Sequence, residues 1–321
     1  MREISNIKYL ILGEAVVDLI STGIVNSLED ADNFQKFAGG EVSNLAMNLS
    51  RMGFQTSLGA CVGQDSFGAF LQNQFTEAGI DLSFFQTTSE VPTTSIYIAR
   101  QTNTPDFIVY RGADRYLTLT DELISTISAS SAVHTSAFAL SQDPSRSTIY
   151  QLLKAAHQAE LLISLDPNFH PGIWPDLADY LGFLKEIFQL VTVTKPSLDD
   201  SIRIFGPGKE PSEYLELFLE LGPAIVVLTL GSQGALVGTS TGERVHILAN
   251  SIPVVDVTGA GDAFWSGLLT GLLMGLPVVQ ASKLGQVIAE YKIGILGPMK
   301  KFLPMEEFIK QTKLIQISSI L

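Results

Sequence analysis

Ile252-Pro-Val-Val-Asp256-Val-Thr258-Gly259-Ala260-Gly261-Asp262-Ala263-Phe264-Trp265-Ser266-Gly267 reads as a β-run ending at Asp256, a turn of small residues, and a long apolar helix opening near Gly261. The first N–H groups of a helix have no internal partner and lie at the positive end of its dipole. Small residues at Gly259, Ala260 and Gly261 let that backbone approach a phosphate, so the turn is an anion site. Asp262 stands at its mouth, where a carboxylate repels an anion. Two readings follow: Asp262 accepts a proton from an attacking hydroxyl, or it caps the helix. Two other phosphate motifs are excluded. The dinucleotide fingerprint needs a glycine where Phe264 stands, and the Walker pattern Gly-x-x-x-x-Gly-Lys-Ser/Thr is absent.

Outward from this segment, short apolar runs at 9–12, 57–62, 132–135, 161–165, 190–194, 224–229 and 252–256 predict strands. Helical periodicity at 42–52, 68–78, 146–158 and 211–221 predicts helices between them. Buried strands joined by crossover helices imply a mostly parallel sheet covered on both faces. Ligands in such sheets bind beyond the carboxyl ends of the strands. Residues 15–37 and 93–116 break the alternation. The second has a hairpin signature: Thr94 to Arg100, a turn at 102–105, then Asp106 to Arg111. These insertions either pair into a small separate sheet over the ligand site or extend an edge of the main one. The run at 263–279, with Gly267, Gly271 and Gly275 at four-residue spacing and Pro277 interrupting it, reads as a buried helix packed closely on a neighbour. It is too short and too broken for a membrane span.

The chain has 321 residues, 46% hydrophobic and 17% charged, enough to build a sizeable core. A net charge of −13 argues against a nucleic-acid surface, which needs clustered Lys and Arg. The single cysteine, Cys61, excludes an internal disulfide and fits a reducing, cytoplasmic setting.

Asp256-Val-Thr-Gly-Ala-Gly-Asp262 resembles the C-terminal signature of the ribokinase-like (PfkB) carbohydrate kinases. Ala38-Gly39-Gly40-Glu41-Val42-Ser43-Asn44, followed by Gly53 and Gly63, is similar to that family's N-terminal signature, with Val42 departing from the usual small residue or proline. Weaker matches are Gly63 to Gly68, Asp166-Pro-Asn168 and Thr229-Leu-Gly231-Ser-Gln-Gly234. The resemblance implies an α/β fold, a three-layer α/β/α sandwich with a mostly parallel central sheet, spanning 1–321 as one domain. Insertions at about 15–37 and 93–116 would form a small β-sheet lid. It implies that Asp262 deprotonates a sugar hydroxyl while the N–H groups of Gly259, Ala260 and Gly261 hold the transferred phosphoryl. Asp18, Gly39, Gly40 and Asn44 match sugar-binding positions, and Thr229, Gly231 and Gly234, with Lys195, match nucleotide-binding ones. ATP and Mg²⁺ are the implied partners of the sugar. In place of the family's Asn-x-x-Glu near the magnesium stands Ser197-x-x-Asp200, expected to act on Mg²⁺ through water. A monovalent cation, K⁺, near Asp256 is known in some relatives and stays open.

Gly13-Glu14-Ala-Val-Val-Asp18, Tyr110-Arg111-Gly-Ala-Asp114 and Asp166-Pro-Asn168-Phe-His170 are similar to fructokinases, although these commonly carry Arg where His170 stands. The expected reaction is phosphorylation of fructose to fructose 6-phosphate, with Arg111 and Asn168 at the sugar. A 2-keto-3-deoxygluconate kinase, another sugar or nucleoside kinase, and a non-catalytic sugar-binding regulator are the alternatives. Exposed lid edges are expected to pair two copies into a homodimer.

Overall fold

The computed structural model describes residues 6–101 and 107–319. In chain order the strands are β1 (Lys8–Leu12), β2 (Val16–Ser21), β3 (Phe34–Gly39), β4 (Gln55–Gly63), β5 (Phe85–Thr88), β6 (Ser95–Ile98), β7 (Phe107–Tyr110), β8 (Ala132–Ser136), β9 (Leu162–Asp166), β10 (Val193–Thr194), β11 (Ile225–Thr229), β12 (Ala235–Thr239), β13 (Arg244–Ile247) and β14 (Ile317–Ser319). The helices are α1 (Glu41–Arg51), α2 (Ser66–Glu77), α3 (Asp121–Ser125), α4 (Ser145–Gln158), α5 (Leu177–Ile187), α6 (Leu198–Phe205), α7 (Pro211–Glu220), α8 (Ala260–Leu273), α9 (Val278–Ile293) and α10 (Met305–Gln311).

Ten of the described strands form one sheet in the order β14-β13-β12-β11-β10-β9-β8-β1-β4-β5. From β5 to β11 every pairing is parallel. Only β12, β13 and β14 run antiparallel to their neighbours. Strand β1 shows why both faces must be covered: Ile11 packs into one apolar cluster, and Leu10 and Leu12 into another on the opposite face. The first cluster takes residues of α1, α2, α8, α9 and α10; the second takes those of α4, α5 and α7. The three layers follow from that division.

The two strand-rich insertions pair with each other in the order β3-β2-β6-β7. Residues 16–21 register antiparallel on 34–39, and 95–98 antiparallel on 107–110. They form a separate small sheet and do not extend the main one. The expected turn at 102–105 lies outside the described residues.

Two strand expectations require correction. Residues 252–256 form no strand. The sheet edge they would need, β13, is already paired by β14 from the chain's end. Instead Val255 and Asp256 donate their N–H groups to the Ile293 carbonyl at 2.8 and 3.1 Å, docking the segment on the end of α9. The run expected at 190–194 shrinks to Val193–Thr194, because Leu190 and Val191 close the turn after α5 through N–H bonds to Ile187 and Phe188. The apolar run at 263–279 is split into α8 and α9 at Gly275 and Pro277. Among the described residues no helix is long and apolar enough to cross a membrane.

Candidate active site

A cleft of about 370 Å³ opens where the carboxyl ends of the parallel strands meet the small sheet. Its lining draws Asp18 from β2, Ile96 and Ile98 from β6, and Phe107 from β7. The main body supplies Glu14, Gly40, Glu41, Asn44, Asn168, His170, Asp200, Arg203, Gly259 and Asp262. The N-terminal and C-terminal sequence segments, 218 residues apart in the chain, are joined directly: Asn44 Nδ2 donates to Asp262 Oδ2 at 2.9 Å.

Asp262 sits in the first turn of α8, after an N-cap at Gly259, and no side-chain cap bond closes that helix end. Its carboxylate is half-buried and belongs to the cleft. Burial pushes the Asp262 carboxyl up to about 6, against the pull of the Asn44 hydrogen bond and the Lys195 charge. A carboxylate with that pKa can take a proton near neutral pH. Burial, then the nearby charge of Asp262, lifts Asp18 to about 7. Gly39 explains how Asp18 gets there. A Cβ on Gly39 would stand 2.1 Å from Asp18 Oδ2, so only glycine leaves room for that carboxylate. Gly39 itself is not among the lining residues, whereas Gly40 is.

Below lies an acidic and cationic network of which only Lys195 was an expected site residue. Glu14, 2% exposed, accepts the Glu41 N–H at 3.0 Å and the Ser136 hydroxyl at 2.7 Å. Burial, then Glu41, raises its carboxyl to about 8. Burial likewise holds Glu41 well above the usual carboxylate range, and its carboxyl lies 3.1 Å from His134 Nε2. Burial pushes the His134 imidazole down to about 4. Its other ring nitrogen meets Ser164 at 2.8 Å. Asp166 accepts the Trp265 N–H at 2.6 Å and pairs with Lys195 at 3.3 Å. The Lys195 ammonium, only 4% exposed, lies 3.6 Å from where a Cβ on Gly261 would stand. The positive charge is thus beside the helix start.

Asn168 lines the cleft with a buried side-chain oxygen that has no partner, an acceptor suited to a ligand hydroxyl. Arg111 is not among the lining residues. Its guanidinium is 2.6 Å from Asp114 and 2.9 Å from Ser141, and it lies 4.3 Å over the Phe138 ring. Phe138 does line the cleft, so Arg111 stands a layer behind. The basic groups that do line it are Arg203 and His170. Thr229 bonds Pro196 through N–H···O at 2.9 Å, tying its loop to Lys195 and Ser197. Beyond that loop a second cavity of about 530 Å³ is lined by Leu230, Ser232, Gln233, His246 and Leu248. Gly231 and Gly234 shape the turn between strands β11 and β12.

Ser197 and Asp200 form a reciprocal capping box at the start of α6: Ser197 Oγ accepts the Asp200 N–H at 3.0 Å, and Asp200 Oδ2 accepts the Ser197 N–H at 3.2 Å. Asp200 Oδ1 remains, 3.8 Å from Arg203. That oxygen, held outside the capping box only by the long Arg203 contact, is the one a hydrated Mg²⁺ carried by phosphates would use, since such an ion needs only one or two protein carboxylates. Among the described residues no cluster of three or more His, Cys, Asp or Glu could hold a metal alone. A monovalent cation near Asp256 does not fit, because the Lys292 ammonium is already bonded to the Asp256 carbonyl and carboxylate.

A family profile described as pfkB family carbohydrate kinase matches residues 6–303. An ATP-dependent 6-phosphofructokinase of Thermoanaerobacterium thermosaccharolyticum is 36% identical over 291 residues, 90% of this chain and 88% of that protein. A fructokinase of Klebsiella pneumoniae is 30% identical over 276 residues, 85% and 87% of the two chains. The structure of Halothermothrix orenii fructokinase superposes with a TM-score of 0.78 at 34% identity, covering 91% of this chain and 100% of that one. An uncharacterized sugar kinase of Pyrococcus horikoshii in complex with ATP shares the fold, with a TM-score of 0.82 at 24% identity over 95% and 100% of the chains. With two glycine segments meeting at Asn44 and Asp262 beneath a small sheet, and with this match across the chain, the protein belongs to the pfkB family of carbohydrate kinases, in the ribokinase-like fold.

Proposed function

We propose that this protein transfers the terminal phosphoryl group of ATP to a hydroxyl of a neutral hexose, fructose at its 6-position, and that residues 1–321 act as one kinase domain with the small sheet as lid. The observation that carries it is the Asp262 carboxylate: raised toward neutrality, free of any capping bond, and facing a cleft beside the start of α8. In the step, the sugar oxygen bonds the phosphorus as the bond to the departing ADP oxygen breaks. ADP leaves with that electron pair, and the hydroxyl proton passes to Asp262. The N–H groups of Gly259 and Gly261, with Lys195, stabilise the charge on the moving phosphoryl, whereas the expected Ala260 N–H is taken by the Val257 carbonyl at 3.1 Å and closes the turn instead. Asp18, Asn44, Asn168 and Gly40 orient the sugar. Thr229, Gly231 and Gly234 cradle the nucleotide. Mg²⁺, when bound, neutralises phosphate charge, held from Asp200 and Ser197 through water.

The Asp262 carboxylate, ionised above about pH 6, favours a neutral polyol over a sugar acid, because a substrate carboxylate beside it would meet like charge. A second reading, a sugar phosphate acceptor, is favoured by Arg203 and His170 on the cleft wall and by the 6-phosphofructokinase relative. The deciding experiment measures sugar-dependent ADP release with fructose, fructose 6-phosphate, other hexoses, nucleosides and 2-keto-3-deoxygluconate. Highest kcat/KM with fructose supports the first reading, and with fructose 6-phosphate the second. Saturable sugar binding with no turnover on any acceptor would instead make the protein a non-catalytic regulator.

A further inference from the structure

Lys292 lies in the last turn of α9, where a lysine ordinarily extends its head to water. Here it turns inward and is 3% exposed. An ammonium has three donors, and three oxygens receive them: the Asp256 carbonyl at 3.2 Å, Asp256 Oδ2 at 3.4 Å and the Ile295 carbonyl at 3.4 Å. Main-chain carbonyls gathered around one compact charge are the donor chemistry that replaces the hydration shell of a monovalent cation. A free cation cannot share these oxygens with the ammonium, since like charges at contact repel strongly away from water.

The location connects this charge to the chemistry. A methyl group on Gly259 would lie 3.8 Å from Lys292 Cε, so the side chain passes directly under the turn that begins α8. The Asp256 carboxylate that it pairs with also receives the N–H groups of Thr258 at 3.0 Å and Gly297 at 2.9 Å. Burial works against this carboxylate, yet those two N–H groups, with Lys292, hold it below the usual range. Fixing Asp256 fixes the backbone entering Gly259–Gly261, the turn that carries the donors for the phosphoryl group. Lys292 touches no substrate in this scheme and is a positioning residue.

Building on the phosphoryl-transfer reading above, we propose that Lys292 is a covalently tethered replacement for a monovalent cation beneath the phosphate-binding turn, so that this protein binds ATP and transfers phosphate without K⁺. The test compares tetramethylammonium chloride with potassium chloride at equal ionic strength, reading both affinity for a non-hydrolysable ATP analogue by calorimetry and sugar-dependent ADP release. The unaltered protein should give the same values in both salts. A K⁺-induced gain of about tenfold or more, a normal size for coupling between two sites, overturns the proposal and leaves the kinase reading intact. Lys292→Ala should lose about 10–100-fold in turnover and analogue affinity in tetramethylammonium, as supporting contacts at ion sites typically do. K⁺, ammonium or methylammonium should restore both. A loss that no cation restores, in a variant with an unchanged melting curve, marks Lys292 as a structural tie and defeats the proposal. If Lys292→Ala does not fold, the salt comparison on the unaltered protein decides alone. If no acceptor is phosphorylated, the kinase reading fails and analogue affinity in the two salts still decides.

Discussion

Asp262→Asn removes the proton acceptor while keeping the side chain's size and its proximity to Asn44. Turnover should fall by about 10²–10⁴-fold, the usual cost of losing a general base, with sugar affinity by calorimetry near that of the unaltered protein. Near-normal turnover would return Asp262 to a structural role. Because its carboxyl is lifted to about 6, kcat/KM should climb as pH rises through that region and then level. The same burial has a consequence for stability. Glu14 titrates at about 8 in the folded chain against 4.5 ordinarily, so between those values the folded state holds a proton that the unfolded state lacks. Its contribution is complete below pH 4.5 and is lost as pH rises through 8. Glu14→Gln, which stays neutral, should therefore melt higher than the parent at about pH 8.5, by the equivalent of a few kcal/mol, and the two should converge near about pH 5. Identical melting curves at both pH values would show that Glu14 carries no such strain. Asp262 stood out from its glycine turn, and Asp18 and Asn44 through the resemblance of their segments to a known family; the structure brings all three to one cleft. Glu14, Glu41 and His134 were not legible in this way, since their partners lie 122 and 93 residues away in the chain. Lys292 gave no sign at all: in sequence it is one lysine near a helix end.

Helices α8 and α9 show what small residues at four-residue spacing accomplish. A Cβ on Gly267 would stand 2.6 Å from the Leu284 carbonyl, one on Gly271 2.7 Å from Ala281 Cα, and one on Gly285 2.8 Å from the Phe264 ring. Backbone thus lies on backbone along the crossing, and this closeness sets where the N-terminus of α8 points. Gly267→Val should separate the helices, lowering stability by about 1–3 kcal/mol as overpacking does, with activity falling in the surviving folded fraction. A thermal melt together with turnover per folded molecule checks this; an unchanged melting temperature would mean that the crossing has slack. The close-packed helix was readable from glycine spacing, and most parallel strands from their apolar runs. The strand expected at 252–256 was not there because β-branched composition cannot report whether an edge is free. The pairing that fills this edge was invisible for the same reason: β14 (Ile317–Ser319) reaches it from the far end of the chain.

At the scale of the molecule, the small sheet both lines the cleft and leaves edges of its own. Phe107 on β7 meets His170 of the main body at 4.2 Å between ring centroids, so the sheet lies against the body across the cleft. Its outer strands are β3 and β7, each with one side not hydrogen-bonded within the sheet. Ile108 and Tyr110 on β7 are 46% and 61% exposed. Apolar side chains on an edge strand favour pairing with another strand unless charge or proline blocks it, and β7, Phe-Ile-Val-Tyr, carries neither. We therefore expect two copies to associate through their lids, which would couple closure of one cleft to the other. Light scattering at micromolar concentration should give twice the chain mass, and Ile108→Lys, placing charge on that edge, should shift the population toward monomer while leaving the melting temperature nearly unchanged. A monomer at all concentrations would mean that each lid closes over its own cleft independently, with the β7 edge left to water.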